Sequence, residues 1–168
     1  MSKNDRQPTP EAPAAPPPQG GVPSGPAKPV PRLPLDGAAA ALIAAAQAVR
    51  AHAHAPYSKF AVGAAVLDEQ GRIHAGCNVE NAAYPQGWCA EASALAVMIA
   101  AGGQRVQAVA VCAVAQAPVP PCGGCRQKLR EFADDDCPIW VADLGGWRAT
   151  FTLGQLLPHS FGPQYLQP

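Results

Sequence analysis

Between residues 38 and 51 alanine dominates, and Leu42, Ile43, Ala46 and Val49 recur at helical spacing. That pattern predicts an amphipathic helix with one face for a core. Asp36 is placed to cap its N-terminus, and the helix must end before Pro56. Residues 60–67 and 72–79 are β-prone runs separated by Asp68-Glu69-Gln70-Gly71, a polar, glycine-ended link suited to a hairpin. Residues 89–101 read as a helix stopped by Gly102-Gly103, and 106–114 as a buried strand. A proline-rich loop at 118–121 leads to a helix over 122–133, two strands at 139–142 and 147–152, and a short helix at 153–157. The order α-β-β-α-β-α-β-β-α predicts an α/β fold: a three-layer α/β/α domain whose mixed five-stranded sheet is covered on both faces. It occupies residues 36–168, with no internal repeat.

Residues 1–35 have a different texture. Pro, Ala and Gly dominate, Pro16-Pro17-Pro18 among them, and no periodic apolar pattern is present. Such a segment cannot bury enough surface to offset its ordering entropy, so a disordered tail is expected. Its PxxP spacings, such as Pro13-Ala14-Ala15-Pro16, are what chance produces at this proline content.

Charge narrows the partners. Lys plus Arg and Asp plus Glu are 12 each, with no basic block, so nucleic acid is not the expected partner. The start of the chain lacks the apolar stretch of a secretory signal, and no apolar run reaches the ~20 residues of a membrane span. A cytoplasmic protein is expected. In a reducing compartment its six cysteines stay as thiols, which points clustered ones to metal or chemistry.

Two such clusters exist. Cys122-Gly123-Gly124-Cys125 sets two sulfurs at i and i+3 on the first turn of a helix, where both reach one ion and the helix end favours thiolate. Cys89-Ala90-Glu91 adds a third thiolate and a carboxylate at the start of the preceding helix. Three protein ligands leave a fourth position open, the mark of catalytic zinc, which makes water a nucleophile at neutral pH. Glu91 beside that water is the natural base. A ligand, one residue, a Glu and a later Pro-Cys-x-x-Cys, here with Pro121, is the pattern of zinc deaminases.

From about residue 38 to 166 the chain resembles the small three-cysteine cytidine deaminases of pyrimidine salvage. The resemblance rests on Ala55-Pro56-Tyr57-Ser58-Lys59-Phe60, Gly76-Cys77-Asn78-Val79-Glu80-Asn81-Ala82, Cys89-Ala90-Glu91 and Pro121-Cys122-Gly123-Gly124-Cys125-Arg126-Gln127. It implies hydrolysis of cytidine and deoxycytidine to uridine and deoxyuridine with release of ammonia, one Zn2+ per subunit on Cys89, Cys122 and Cys125, and Glu91 as the proton carrier. It further implies that Phe60 lines the base pocket, Asn78 and Glu80 bind the sugar hydroxyls, and the Ala90 N–H holds the base. Tyr57 and Tyr84 resemble pocket and intersubunit positions. Phe161 resembles an aromatic stacked on the pyrimidine from a neighbouring subunit of a homotetramer. Many family members carry Arg where this chain has Ala92; Arg126 and the helix N-termini are the candidates to offset the thiolate charge.

Competing readings attach to the same residues. A structural zinc module would need Cys77 or a histidine to close the site, a redox CxxC protein leaves Cys89 and Glu91 unexplained, and a deaminase of a modified cytosine nucleoside shares every motif. Cys77, Cys112 and Cys137 are expected in or beside the core. Trp88, Trp140 and Trp147 are expected in core or interface, and His52, His54, His74 and His159 at the surface or at helix ends.

Overall fold

The computed structural model describes residues 37–162, 165 and 166; the tail over 1–35 and the cap at Asp36 lie outside the described residues. Helix α1 (Gly37–Arg50) is followed by β1 (Val62–Asp68), β2 (Ile73–Cys77), α2 (Ala90–Ala100), β3 (Val106–Ala113), α3 (Gly123–Arg130), β4 (Pro138–Asp143), β5 (Gly146–Thr152) and α4 (Leu153–Leu156). The strands form one sheet in the order β2-β1-β3-β4-β5. Only β3 and β4 run parallel; the other pairs are antiparallel. The mixed five-stranded sheet and the element order are those expected from the sequence.

Alternation along the strands divides the core into two layers, because successive strand side chains point to opposite faces. Ala64, Val66, Val109, Val111 and Ile139 pack with Ala94, Leu95 and Met98 of α2 and Leu129 of α3. Ala65, Ala108, Ala110, Cys112 and Ala142 pack with Leu42, Ile43 and Ala46 of α1, and Trp140 and Trp147 close that layer. The first face therefore carries both helices that bear candidate ligands.

Element ends shift where backbone groups are claimed by other partners. β1 begins at Val62 instead of residue 60 because Asn78 Oδ1 accepts from the Val62 N–H at 2.8 Å and Asn78 Nδ2 donates to the Phe60 carbonyl at 2.9 Å. α3 stops at Arg130, short of residue 133, and the Phe132 carbonyl accepts from Val106 N at 2.8 Å, at the start of β3. A 3-10 turn at Tyr84–Gln86 was not apparent in the sequence. His74 departs from expectation: it is buried on β2, 2.8 Å from the Asp68 carboxylate, which also accepts from Arg72 Nε at 2.7 Å. Val66 and Asp68 share a face of β1, so a surface position for His74 would have left the Asp68 charge buried with one partner fewer.

Two close approaches place α2. A Cβ on Gly76 would lie 2.4 Å from Ala94 N and 2.5 Å from Ser93 Cβ, so β2 and the first turns of α2 meet backbone to backbone. Ser93 Oγ donates to the Cys77 carbonyl at 2.9 Å across the same contact. At the other end of the helix, Arg72 Nη1 donates to the Ala101 carbonyl at 3.0 Å, a cation at a helix C-terminus where the dipole favours it.

Candidate active site

Cys89 and Cys122 hold the N-cap positions of α2 and α3, both with extended backbone. At a helix tip the free N–H groups face outward, and a residue there directs its side chain off the end. Cys125 follows one turn into α3. The three sulfurs lie within 4.8 Å of one another, and those of Cys89 and Cys122 are 3.9 Å apart. Tetrahedral zinc with Zn–S near 2.3 Å requires S···S separations of about 3.8 Å. The spacing and the soft donor set fit that ion. Cys77 is not part of the cluster, which among the described residues contains no histidine.

Burial pushes the Cys125 thiol well above its ordinary range, and the neighbouring Glu91 charge adds to the shift. Burial raises Cys89 as well. Burial also opposes ionisation at Cys122, but the backbone N–H of Cys125 and hydrogen bonds from the other two thiols outweigh it and lower that thiol. Cys122 is thus the readiest thiolate, held by the helix end. A divalent ion among the sulfurs reverses the penalty at the other two, since coordinated thiols lose their protons. Glu91 is 4% exposed, and its Oε2 accepts from the Cys125 thiol at 3.2 Å. A carboxylate is thereby fixed beside the ligand cluster.

In front of this cluster opens a cavity of about 410 Å³, within the roughly 300–1,000 Å³ of small-molecule sites. Ala90 and Glu91, both buried, form its floor, and the more exposed Phe60, Val62, Asn78, Glu80 and Cys89 its wall and rim. Asn78 and Glu80 also build the rim itself. Glu80 accepts from the backbone N–H groups of Tyr57 and Ser58 at 2.9 and 3.2 Å and from the Ser58 hydroxyl. The Ser58 hydroxyl bond, the leading influence on it, outweighs burial and holds the Glu80 carboxyl below its usual range. An adjoining hollow of about 390 Å³ shares Glu80 and Gly87 and is lined by Tyr57 and Tyr84, whose rings meet edge to face at 6.2 Å.

Phe161 is not brought to this cavity. Its carbonyl accepts from Gln127 Nε2 at 2.8 Å, and its exposed ring stacks on Tyr165 at 5.5 Å. Arg126 donates from Nε to the Pro121 carbonyl and from Nη1 to the Leu156 carbonyl, both at 2.8 Å. Those bonds brace the loop behind Cys122. Trp88, Val119 and Pro120 also line the cavity, which sequence reading missed. Trp88 adjoins Cys89 in the chain, a signal that was present; Val119 and Pro120 arrive by a loop whose course no local pattern encodes.

Comparison with known proteins agrees with this geometry. The family model for the cytidine and deoxycytidylate deaminase zinc-binding region matches residues 38–141. The chain is 42% identical over 125 residues to a cytidine deaminase of Sporosarcina psychrophila, covering 74% of this chain and 92% of that one. Among solved structures it is similar to a cytidine deaminase from Burkholderia pseudomallei, with 42% identity, TM-score 0.68 and coverage of 73% of this chain and 98% of that one. The Mycobacterium tuberculosis cytidine deaminase follows with 39% identity, TM-score 0.63 and coverage of 73% and 96%. With the sulfur cluster falling inside the stretch that the family model matches, the protein belongs to the cytidine and deoxycytidylate deaminase family.

Proposed function

We propose that the protein is a zinc-dependent hydrolase that converts cytidine and deoxycytidine to uridine and deoxyuridine with release of ammonia, as a step of pyrimidine salvage in the cytoplasm. The observation that carries this reading is the buried Glu91 carboxylate held against a three-sulfur cluster at the floor of a cavity of nucleoside size. Cys89, Cys122 and Cys125 hold the ion, which when bound supplies the Lewis acidity that makes water a nucleophile at neutral pH. Glu91 takes the proton from the attacking water and delivers it to N3 of the base while oxygen bonds to C4. Glu91 then carries the remaining proton from the new C4 hydroxyl to the amino group, and as the C4 oxygen becomes a carbonyl the C4–N4 bond breaks to release ammonia.

Phe60 lies against the base, the Ala90 N–H donates to it, and the rim groups Asn78 and Glu80 keep lone pairs and an N–H free for the sugar hydroxyls. Neither hollow is lined by Lys or Arg among the described residues, which favours a free nucleoside over a nucleotide. Tyr57 and Tyr84 line the sugar side. Phe161 lies outside its own cavity and is exposed, which supports its use by a neighbouring copy in a homotetramer. The catalytic domain covers residues 36–168. Among the described residues no helix is long and apolar enough to cross a membrane.

The test is the loss of cytidine absorbance on addition of zinc-loaded protein, beside Glu91→Gln. Turnover by the wild type and a loss of ~10²-fold or more in a zinc-retaining Glu91→Gln are expected. Near-normal turnover in that variant refutes the role of Glu91; no turnover of either nucleoside by the wild type refutes the substrate.

A further inference from the structure

Trp88 is held by its backbone before its side chain does anything. Its N–H donates to the Val79 carbonyl at 2.8 Å, and its carbonyl accepts from Val79 N at 2.9 Å, an antiparallel bridge between the rim and the residue before Cys89. From this fixed anchor the indole stands half-exposed. It borders two hollows. One is the cavity above Glu91; the other is a groove of about 690 Å³ between α2 and α3, lined by Ala92, Leu95, Gln127 and Lys128. Among the described residues Trp88 is the one that lines both.

Lys128 Nζ lies 5.8 Å from the centre of the indole, within reach of a cation–π attraction. Helical side chains lean toward the N-terminus, which carries the lysine back over the first turn of α3. Its Nζ lies over Gly124, where a Cβ would meet it at 3.7 Å, an ordinary contact.

We propose that Trp88 is a specificity-determining wall of the nucleoside cavity and that Lys128 is a positioning residue that holds the indole in place. This rests on the reading of the cavity as a nucleoside site. The indole gives the substrate a flat apolar surface and closes the cavity toward the groove, so that shortening it joins the two spaces. Substrate size on that side is set by one side chain on a rigid bridge.

The test uses the zinc-loaded full-length protein and Trp88→Phe, Trp88→Ala, Lys128→Met and Lys128→Arg. Trp88→Ala is expected to raise KM for cytidine roughly threefold to tenfold, with kcat within about twofold. It should also improve kcat/KM for at least one cytidine bearing a phenyl-sized group at C5, N4 or the 5′ carbon, relative to cytidine itself. Lys128→Met should raise KM by roughly twofold to fivefold and Lys128→Arg restore it. Uridine should quench wild-type tryptophan fluorescence but not that of Trp88→Phe, since Trp140 and Trp147 pack on the α1 side of the sheet.

An unchanged KM in Trp88→Ala with no gain for any bulky analogue overturns the wall, as does quenching that persists in Trp88→Phe. A KM in Lys128→Met equal to wild type overturns the positioning role. If the wild type leaves cytidine unchanged while uridine still quenches Trp88, the activity reading fails and the wall stands.

Discussion

Gly76→Ala probes the contact that sets α2, and with it Cys89 and Glu91, against the sheet. The new methyl would meet Ala94 N at 2.4 Å, Ser93 Cβ at 2.5 Å and Ser93 C at 2.7 Å, whereas unbonded atoms settle at about 3.5–4.0 Å. About 1 Å of separation must be found. Two of these three obstacles are helix backbone, so no side-chain rotation relieves them; β2 and α2 must move apart. Overpacking costs about 1–3 kcal/mol, and a rigid neighbour puts this case near the top, ~3 kcal/mol. For a domain of this size that lowers Tm by roughly 10 °C. Displacing Glu91 by ~1 Å relative to the sulfurs of α3 should cost on the order of 10²-fold in kcat/KM. Thermal unfolding followed by circular dichroism, and cytidine kinetics well below both transitions, read the two effects separately. Gly37→Ala, which meets nothing within 4 Å, is the comparison variant. A Gly76→Ala protein with Tm within about 2 °C and kcat/KM within about threefold of wild type would refute the reasoning.

Other expectations follow from the electrostatics and from the loop behind Cys122. Burial pushes the Asp68 carboxyl up, but hydrogen bonds from His74, Arg72 and Gln70 outweigh it and hold it well below the usual carboxylate range. A depressed folded-state value contributes stability above the unfolded pKa of about 3.9 and loses it as pH falls through the folded value; urea unfolding should show Asp68→Asn less stable at pH 7 and with a shallower decline below pH 4, and equal slopes would remove Asp68 from acid sensitivity. Thiol alkylation at pH 8 after chelation should reach Cys122 first, while burial, which pushes Cys137 up to about 12, keeps that thiol unreactive; peptide mapping that found Cys137 labelled as fast as Cys122 would contradict the ordering. Zinc should protect Cys89 and Cys122. Arg126→Ala removes two hydrogen bonds from a charged group to backbone carbonyls and should lower stability by about 2 kcal/mol with zinc retained; loss of zinc instead, measured by metal analysis, would return Arg126 to the role of charge partner for the thiolates.

Local chemistry was enough to locate the elements and the three cysteines that the fold brings together. Helical spacing in residues 38–51, the hairpin link Asp68-Glu69-Gln70-Gly71 and the Gly102-Gly103 stop each act within a few residues of chain, and so does the pairing of two cysteines at i and i+3. Glu91, which lies against the cluster, was legible for the same reason, two residues from Cys89. The tertiary structure alone decided that β1 lies between β2 and β3, that β3 and β4 run parallel, and that two helix tips far apart in the chain converge to bring three sulfurs within 4.8 Å. It also decided which residues serve twice, Asn78 tying down β1 while facing the cavity. His74 shows the limit most plainly: whether a strand histidine meets water or a buried carboxylate depends on what the opposite strand and the covering helix place beside it. Sequence periodicity reports which face a side chain takes, while its partners across the sheet are set by packing between segments distant in the chain, which no local pattern carries.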